Sequence, residues 1–485
     1  MSKFLPPSAF AADGEYKLLP FNFAKLDGDH YVATNMAGEF VTLNRGELQR
    51  LVSHELRPEE ALFRDARAKH FIEVNGDRSA RDLLALKTRT RFQRLPNFTN
   101  LHIFVVTLRC DHSCPYCQVS RQSEDRAAFD MSREIADSSL DLMFRSPSPA
   151  LKLEFQGGEP LLNFELVRYV VEKAERRAIT EGRELEIVIA TTLSLATSEI
   201  LEYCRDHRIL LSTSLDGPAD LHNRNRPRPG RDSFERYMQG LQQAREIVGF
   251  DRVSALMTTT QHSLSRVREI IDEYVTHGFD GIFLRPLSPY GFAIKTKAID
   301  AYNLSRWLAF YFEGLEYVLE LNRAGIPFRE HYAALVLQKM LTSNDPGYVD
   351  LMNPAGAGIA AIVFNYDGGV FASDEARMLA EMGDMTFKLG NVLESSYEEI
   401  FLSDALLGAL EESFTLSAPM CSDCAFEPFC GADPVYSHAV HGDVVGRKPS
   451  SDFCRRNMAI FRKLISMMES DSSTKDIFQS WVARC

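Results

Sequence analysis

The chain has 485 residues, of which 45% are hydrophobic and 25% are charged, an ordinary composition for a globular protein of more than one domain. Its net charge of −13 argues against a general nucleic-acid-binding protein, because phosphate binding requires a basic surface. Apolar runs stay well short of the ~20 residues that cross a bilayer, and the N-terminus lacks a signal-peptide pattern, so we expect a cytoplasmic protein with neither a membrane nor a nucleic-acid partner.

Residues 1–76 are predicted to form a small α+β module. Apolar patterns indicate strands at Tyr16–Phe21 and His30–Thr34 and a third at Glu39–Leu43. Asn44, with a glutamate three residues later, is typical of a capping box that begins a helix. Three strands followed by helices resemble the winged-helix peptide-recognition domain of peptide-modifying enzymes, in which a leader peptide adds to the sheet edge. A module that serves only packing is the alternative.

The rest of the chain divides by pattern. Residues 77–98 are basic, and we interpret them as a solvated, partly helical linker. From 99 to 300 strands and helices alternate, which predicts an α/β fold: a partial TIM-type barrel of six βα repeats with sites at the carboxyl ends of its strands. A helical bridge at 301–350, a cysteine-rich extension at 351–456 and a C-terminal helix at 457–485 are expected to follow. The six predicted barrel strands are Leu101–Thr107, Leu151–Gln156, Leu185–Thr191, Ile209–Ser214, Val253–Thr258 and Gly281–Arg285.

Three cysteines follow the first of these strands at C-x3-C-x2-C spacing: Cys110, Cys114 and Cys117. Thiolates grouped this tightly on a loop suit an iron–sulfur cluster or zinc. Zinc normally closes its shell with four ligands, and His112 lies inside the triad, where it would close a tetrahedron only awkwardly. The residues therefore favour a cluster that is held by three cysteines and has one iron open to a further ligand.

A second motif, Gln156-Gly157-Gly158-Glu159-Pro160, follows the second strand. Glycines let a backbone approach a ligand closely and adopt torsions that other residues avoid. The carboxylate of Glu159 can accept charge-assisted hydrogen bonds from an ammonium group. Because this turn lies one repeat after the cysteine triad, we expect both motifs to contribute to one ligand site.

The cysteine-rich extension supplies a complete shell of four thiolates. Taken alone, such a shell suits structural zinc or a closed cluster. A hairpin that turns at 367–369 and a helix at about 397–414 are predicted to precede it. Cys204 is interpreted as a helix-face cysteine and Cys485 as part of a frayed terminus. The four cysteines of the shell are Cys421, Cys424, Cys430 and Cys454.

Together these motifs resemble the radical S-adenosylmethionine (SAM) superfamily, specifically its members with a C-terminal SPASM or twitch extension. The resemblance implies that the triad holds a 4Fe–4S cluster whose fourth iron binds SAM, and that the Gly-Gly-Glu-Pro motif contacts the methionyl amino group. It also implies that the reduced cluster cleaves SAM to a 5′-deoxyadenosyl radical, which abstracts hydrogen from a substrate. The further residues that it implies as cofactor contacts are Tyr116, Thr192, Ser212, Ser214, Asp216, Arg226 and Arg285.

The same resemblance assigns the four C-terminal cysteines to an auxiliary 4Fe–4S cluster. A full SPASM domain holds a second auxiliary cluster. Here Ser373 and Pro434 stand where two of its cysteines are expected, and residues 352–361 contain no cysteine. We therefore expect two clusters in all, one open to SAM and one closed. Three nearby carboxylates are candidates for a catalytic acid or base, with ordinary surface carboxylates as the alternative: Asp374, Glu375 and Asp433.

Enzymes of this type usually modify peptides or proteins, so the implied substrate is a ribosomally made precursor peptide. Segments Thr34–Phe40, Leu101–Gln118 and Phe144–Phe164 resemble maturases of His-Xaa-Ser systems. This implies a precursor with His-Xaa-Ser repeats, a second radical SAM protein as partner, and a crosslink as the product. A flavodoxin or a ferredoxin-like protein is the implied reductant. Two alternatives stay open: a sulfatase-type maturase that forms formylglycine, and a non-enzymatic zinc-binding adaptor.

Overall fold

The structure is a computed structural model that describes residues 16–74, 76–299 and 302–483. No helix in these ranges is long and apolar enough to cross a membrane. The strands are β1 Tyr16–Leu18, β2 Phe21–Lys25, β3 His30–Asn35, β4 Phe40–Asn44, β5 Ile72–Val74, β6 Leu101–Thr107, β7 Ala150–Gly157, β8 Glu184–Thr191, β9 Leu210–Ser214, β10 Val253–Leu256, β11 Gly281–Ile282, β12 Arg329–Glu330, β13 Ala361–Phe364, β14 Gly369–Phe371 and β15 Lys388–Asn391. The helices are α1 Arg45–Val52, α2 Ala61–Ala68, α3 Ser79–Thr90, α4 Arg126–Phe129, α5 Arg133–Met143, α6 Phe164–Glu181, α7 Ser198–Asp206, α8 Ala219–Asn225, α9 Ser233–Ile247, α10 Val267–Thr276, α11 Phe292–Lys295, α12 Leu304–Arg323, α13 His331–Leu341, α14 Asp374–Ala380, α15 Tyr397–Phe401, α16 Asp404–Glu412, α17 Pro434–His441, α18 Asp452–Ser470 and α19 Ser472–Val482.

One eight-stranded sheet, in the order β10-β9-β8-β7-β6-β13-β14-β15, connects the barrel to the cysteine-rich region. Strands β6 to β10 are parallel and alternate with helices, as the βα pattern predicts. Strand β13 continues the sheet in parallel beside β6, and β14 and β15 extend it in antiparallel order. The predicted α/β fold with a cysteine-rich extension is therefore confirmed, and so is the predicted hairpin. That this hairpin joins the barrel sheet was not predicted.

Local sequence explains where several helices begin and end. The predicted capping box at α1 is present: Asn44 Oδ1 accepts a hydrogen bond from the Glu47 N–H at 2.9 Å, and Glu47 Oε2 accepts one from the Asn44 N–H at 2.8 Å. Ser132 caps α5 with its hydroxyl oxygen. Helix α6 ends at Gly182, whose φ of 67° is left-handed and therefore favours glycine.

The first predicted strand, Tyr16–Phe21, is wrong in its length. It is split into β1, which pairs with β5, and β2, which pairs with β3. Pro20 lies at the break. Proline has no N–H to donate to the hydrogen bonds between strands, so it interrupts the strand. The N-terminal module packs around a core of its own, which includes Val41, Leu51 and Phe63. Residues 1–15 of this predicted module lie outside the described residues, as does Cys485.

The sixth predicted barrel strand, Gly281–Arg285, is also shorter than expected. Only β11 forms within it, and β11 pairs in parallel with β12 rather than with β10. Beyond it, the Leu284 N–H donates to Glu330 Oε1 at 3.1 Å, so a buried side chain takes the place of a ladder partner. The Thr259 N–H donates to the Arg285 carbonyl at 3.0 Å, which keeps the sixth repeat beside the fifth.

Two predicted helices of the C-terminal region differ from expectation. The helix expected at about 397–414 is two helices, α15 and α16, because the hydroxyl of Ser403 caps the second one. The helix expected at 457–485 begins earlier as α18, so Cys454 lies in its first turn. It then breaks at Asp471, which caps α19.

The basic segment 77–98 is less solvated than predicted, since much of it forms α3 and its cations make ion pairs. Arg81 Nη2 lies 2.6 Å from Glu73 Oε1 within the N-terminal module. Arg91 Nη2 lies 3.3 Å from Glu427 Oε2, and these two side chains are only 15% and 6% exposed. The segment thereby connects the N-terminal module to the cysteine-rich region.

Candidate active site between two cysteine groups

The first cysteine group lies on the loop after β6, at the carboxyl end of that strand. Backbone hydrogen bonds hold this loop from two sides: the Ser113 N–H donates to the Pro227 carbonyl, and the Phe292 N–H donates to the Cys117 carbonyl, each at 2.8 Å. The Cys117 N–H also donates to the Cys114 carbonyl at 3.1 Å. The three thiols on this loop are partly buried.

The Gly-Gly-Glu-Pro turn packs directly against this loop. A Cβ atom on Gly157 would lie 2.1 Å from the Thr107 carbonyl oxygen, and one on Gly158 would lie 2.1 Å from the Arg109 carbonyl oxygen. Gly157 also has a φ of 151°, which side chains rarely allow. The sequence predicted that these glycines admit a ligand. In the structure their close partner is the backbone that leads to Cys110.

The side chain of Glu159 is fully buried and binds the end of β8. Its Oε1 accepts a hydrogen bond from the Thr191 hydroxyl at 2.7 Å, and its Oε2 accepts bonds from the N–H and hydroxyl of Thr192, each at 2.8 Å. Burial raises the pKa of Glu159, and these hydrogen bonds oppose that rise. Thr192 therefore orients Glu159, and a contact of Glu159 with an ammonium group stays a prediction. Pro160 is buried beside it and begins a short helical turn.

Asp216 gathers two other predicted cofactor residues into one buried contact. Its Oδ2 accepts a hydrogen bond from the Tyr116 hydroxyl at 2.6 Å, and its Oδ1 accepts one from Arg226 Nη2 at 3.0 Å. The guanidinium carbon of Arg226 lies 5.6 Å from the centre of the Tyr116 ring. The charge of Arg226, which was predicted to contact the cofactor, is thus matched within the protein by Asp216.

A chain of hydrogen bonds supports the cysteine loop from beneath. Asp111 Oδ1 lies 2.8 Å from His112 Nδ1, and Asp111 Oδ2 accepts a bond from the Ser194 hydroxyl at 2.6 Å. His112 Nε2 lies 2.8 Å from Ser233 Oγ, which is also 3.1 Å from His222 Nε2. Because both ring nitrogens of His112 have partners, this residue supports the loop and is not free to bind a metal.

The remaining residues that were predicted to contact SAM lie at the ends of other strands. Ser212 and Ser214 lie on β9, two positions apart and therefore on the same face of the sheet. Gln156 Nε2 donates to Glu154 Oε1 at 2.7 Å. Both Gln156 and Arg285 line a cavity that lies between the two cysteine groups.

The spacing of the thiols can be compared with the geometry of a single zinc ion. A tetrahedral zinc site with Zn–S bonds of ~2.3 Å places its sulfur atoms about 3.8 Å apart. In the described part of the chain, the group that brings three potential ligand atoms within 4.8 Å of one another is Cys110, Asp111 and His112. Among the thiols that the structure describes, no three of either set are gathered so tightly. The described thiols of either set are therefore not gathered as closely as the ligands of a single zinc ion.

The second cysteine group is assembled from a loop and the start of a helix. Cys421, Cys424 and Cys430 precede α17, and Cys454 lies in the first turn of α18. Burial raises the pKa of Cys421 and of Cys454 to about 11, and the nearby Cys430 adds to both shifts. The Asn457 amide donates to Cys430 Sγ at 3.6 Å. The structure thus brings the four predicted ligands together. The fifth described cysteine outside the triad, Cys204, is buried on α7.

The cavity between the two cysteine groups has a volume of about 620 Å³. On the barrel side, Leu287 lines the cavity and also packs against Tyr116 of the first cysteine loop. On the opposite side, Arg456 lines it two residues beyond Cys454. Carboxylates that the sequence singled out also line it, including Asp374 and Asp433.

Sequence reasoning missed several functional residues of this cavity. Asp350, Tyr290 and Arg456 belong to no motif and come from separate segments that only the fold brings together. Arg285 Nη2 lies 4.0 Å from Glu375 Oε1 across the same space. A motif of fixed spacing could not have identified these cavity residues, because they are far apart in the chain.

Comparison with known proteins identifies the barrel. The radical SAM superfamily model matches residues 104–274. A cysteine-type anaerobic sulfatase-maturating enzyme of Clostridium perfringens is 22% identical over 336 residues, which are 66% of this chain and 84% of that protein. A serine-type anaerobic sulfatase-maturating enzyme of Bacteroides thetaiotaomicron is 28% identical over 137 residues, which are 27% of this chain and 33% of that protein.

Two solved structures share the fold. The structure of anSMEcpe with bound AdoMet and Cp18Cys peptide has a TM-score of 0.62 at 16% identity and covers 78% of this chain and 99% of that chain. Streptococcus suis SuiB bound to its precursor peptide SuiA has a TM-score of 0.53 at 14% identity and covers 90% of this chain and 98% of that chain. These likenesses are of fold, and the sequence match assigns residues 104–274. These residues are therefore a radical SAM domain, and the chain that carries this domain is an enzyme.

Proposed function

We propose that this enzyme is a maturase that uses SAM to modify a peptide or protein. The observation that carries the proposal is a cavity whose lining connects to both cysteine groups. Leu287 lines it and packs against Tyr116 of the three-cysteine loop, and Arg456 lines it two residues beyond Cys454. Its relatives include sulfatase-maturating enzymes, and its structural neighbours include SuiB bound to a precursor peptide.

The first cysteine loop is the proposed cofactor site. Cys110, Cys114 and Cys117 hold a 4Fe–4S cluster with one iron open to SAM. When bound, this pair supplies reductive cleavage of SAM and a carbon radical that removes a hydrogen atom from the substrate. The protein fixes the loop through the close packing of Gly157 and Gly158 and keeps water out by burial. The other residues proposed to contact SAM are Tyr116, Gln156, Glu159, Pro160, Thr192, Ser212, Ser214, Asp216, Arg226 and Arg285.

The second cysteine group is proposed to hold a closed 4Fe–4S cluster. Because the protein supplies all four ligands, this cluster has no position for substrate and serves electron transfer or the fold. Ser373 caps α14 and Pro434 begins α17, so both positions expected to carry inner-cluster cysteines have structural roles here. We accordingly propose two clusters per chain, reduced by a flavodoxin or a ferredoxin-like protein.

The specific reaction that we propose is a crosslink in a ribosomally made precursor peptide that carries His-Xaa-Ser repeats. A second radical SAM protein is the proposed partner. The N-terminal module supports a peptide substrate, because its three-stranded antiparallel sheet and separate core form a unit beside the catalytic region. Asp374 and Asp433 are the proposed acid–base candidates, since both face the cavity.

A sulfatase-type maturase is the second candidate function. It is favoured by the match to the Clostridium perfringens enzyme, which extends over 84% of that protein. For this candidate the substrate is a cysteine or serine that becomes formylglycine. A zinc-binding adaptor is disfavoured, because no three of the described thiols in either cysteine set are as close as a single zinc ion requires.

Anaerobic reconstitution tests the proposed cofactors. We expect about eight irons per chain, four for each 4Fe–4S cluster, and SAM cleavage under dithionite. Replacing Cys110, Cys114 and Cys117 with Ala should abolish SAM cleavage and leave about four irons in the second group. Stoichiometric zinc without iron, or SAM cleavage that survives the triple substitution, contradicts the proposal.

The two substrate classes can be separated by mass spectrometry. The enzyme would be incubated with a His-Xaa-Ser repeat peptide and, separately, with a sulfatase-derived peptide that contains the target cysteine. A crosslink removes two hydrogen atoms and resists hydrazide labelling. Formylglycine from cysteine loses two hydrogen atoms and also has oxygen in place of sulfur, and it reacts with a hydrazide as an aldehyde. Turnover of the sulfatase peptide alone would select the second candidate.

A further inference from the structure

The cavity between the cysteine groups has more negative than positive charge. Of the five partly buried carboxylates that line it, two already have a cation beside them. Asp374 pairs with Arg377 at 3.2 Å. Asp452 pairs with Arg455 at the same distance. The other three share two guanidinium groups of the lining, so these three carboxylates outnumber the described cations beside them by one. These three carboxylates are Asp350, Glu375 and Asp433, and the two guanidinium groups are those of Arg285 and Arg456.

The pKa shifts of these three carboxylates reflect the excess of negative charge. Burial, together with the nearby Asp350 and Asp374, raises the pKa of Glu375 to about 7 against the opposing charge of Arg285. Burial also raises the pKa of Asp350 and of Asp433. A cation placed among these carboxylates would relieve their mutual repulsion.

Two buried polar groups in the same wall lack hydrogen-bond partners within the described chain: the hydroxyl of Tyr290 and the Nε1–H of Trp307. Each of these side chains is only 1% exposed. A buried donor without a partner is costly, and native proteins rarely keep one without a reason. Both groups therefore point to an occupant that carries hydrogen-bond acceptors, such as the carbonyl oxygens of a peptide.

The shape of the group fits an organic cation better than a metal ion. In the described ranges, no three of these carboxylate oxygens lie within 4.8 Å of one another, as a compact metal site requires. Aromatic rings, including Tyr302 and Tyr348, form much of the remaining wall. Such rings attract cations at their faces, and an aliphatic stem packs on their edges and on Leu287.

We infer that this cavity receives a lysine or arginine side chain of the peptide substrate, with Asp350, Glu375 and Asp433 as its anionic partners. This inference rests on the proposed function and gives it a substrate class. The backbone next to that side chain supplies acceptors for Tyr290 and Trp307. The cation places its residue between the two cysteine groups. The residue then lies near the side of the cavity that faces the first cysteine loop, where SAM is proposed to bind.

The test measures binding of short blocked peptides to the reconstituted full-length enzyme with SAM bound. The central residue of the peptide is lysine, arginine, norleucine or glutamate. We expect the lysine and arginine peptides to bind at least roughly tenfold more tightly than the norleucine peptide, because a charge-assisted hydrogen bond to a buried carboxylate is lost in norleucine. Equal binding of the lysine and norleucine peptides, or preference for glutamate, overturns the inference.

Variants connect the preference to named residues. Asp350→Asn and Glu375→Gln should each reduce lysine-peptide affinity roughly tenfold and leave norleucine-peptide affinity unchanged. Glu398→Gln is the matched control, because Glu398 is 61% exposed and pairs with Arg145 on the surface. Iron content and circular dichroism establish that each variant is folded. If the preference persists in both cavity variants, the anionic partners have been assigned wrongly.

SAM cleavage without peptide, measured on the same samples, separates this inference from the proposed function. Cleavage together with indifference to the central residue would refute only the cationic-substrate inference. Lysine-selective binding without any cleavage would refute the proposed function and leave the pocket assignment standing.

Discussion

Single residues at this site act more through packing and hydrogen bonds with the protein than the sequence motifs indicated. Gly158 is held against the Arg109 carbonyl oxygen, and Asp216 pairs with Arg226. Glu159 accepts hydrogen bonds from the end of β8. Each was expected to face a ligand. The Gly-Gly-Glu-Pro motif therefore also positions the cysteine loop, and substitutions can test this role.

Replacing Gly158 with Ala should dislodge the cysteine loop. The new Cβ would lie 2.1 Å from a backbone oxygen, which no rotamer change can relieve. We expect a loss of roughly 1–3 kcal/mol of unfolding free energy and of about four irons, with no SAM cleavage. Iron analysis and urea denaturation provide the measurement.

The matched control is Gly408→Ala, because a Cβ at this position in α16 meets nothing within 4 Å. It should raise stability by about 0.5–1 kcal/mol, the ordinary preference of a helix for alanine. If Gly158→Ala behaves like this control and keeps its iron, the close packing does not position the loop.

At the scale of elements, the junction between β6 and β13 is the connection that the sequence least revealed. His102 on β6 stacks on Phe364 of β13, with ring centres 6.2 Å apart. Burial lowers the pKa of His102 to about 3, so the folded protein holds a neutral imidazole at this seam. Acid should therefore weaken the junction.

The direction of the pH effect on stability follows from the pKa of His102 in the folded and the unfolded chain. Its folded pKa of about 3 lies below the ordinary value of 6.5, so the unfolded chain takes up the proton first, and stability falls as pH drops below 6.5. At pH 5 this residue lowers the free energy of unfolding by about 2 kcal/mol. His102→Phe should remove that part of the pH dependence in urea titrations at pH 7 and pH 5. His30→Phe, at a 66% exposed imidazole, should keep the wild-type slope.

The ion pair between α3 and the cysteine-rich region is a second element-scale connection. Glu427 Oε1 also accepts a hydrogen bond from the Thr415 hydroxyl at 2.7 Å, so removal of Arg91 leaves a buried carboxylate with only neutral partners. Arg91→Ala should cost about 3 kcal/mol and speed proteolysis within 77–98, while SAM cleavage without peptide continues. Arg89→Ala, two residues earlier in the same segment, is the control. Unchanged proteolysis of Arg91→Ala would show that other contacts hold the module.

For the molecule as a whole, the sequence predicted what local patterns encode. Strand–helix alternation gave the barrel, cysteine spacing gave both thiol groups, and Asn44 with Glu47 gave the first helix. It failed where tertiary partners replaced local ones. The sixth strand is shorter than predicted because Glu330 takes the place of its ladder partner. Asp350 and Arg456 of the cavity escaped notice because separate segments supply them. Long-range charge and packing leave no spacing pattern in a single sequence.

The parallel pairing of β13 with β6 has a consequence for how the chain folds during synthesis. Strand β6 leads directly to Cys110, yet its neighbour on one side arrives only after the whole barrel and the helical bridge have been made. Until then β6 presents a bare edge, which invites pairing with other chains. Such distant contacts slow folding. A truncated chain that ends before β13 should therefore aggregate more readily than the full-length chain.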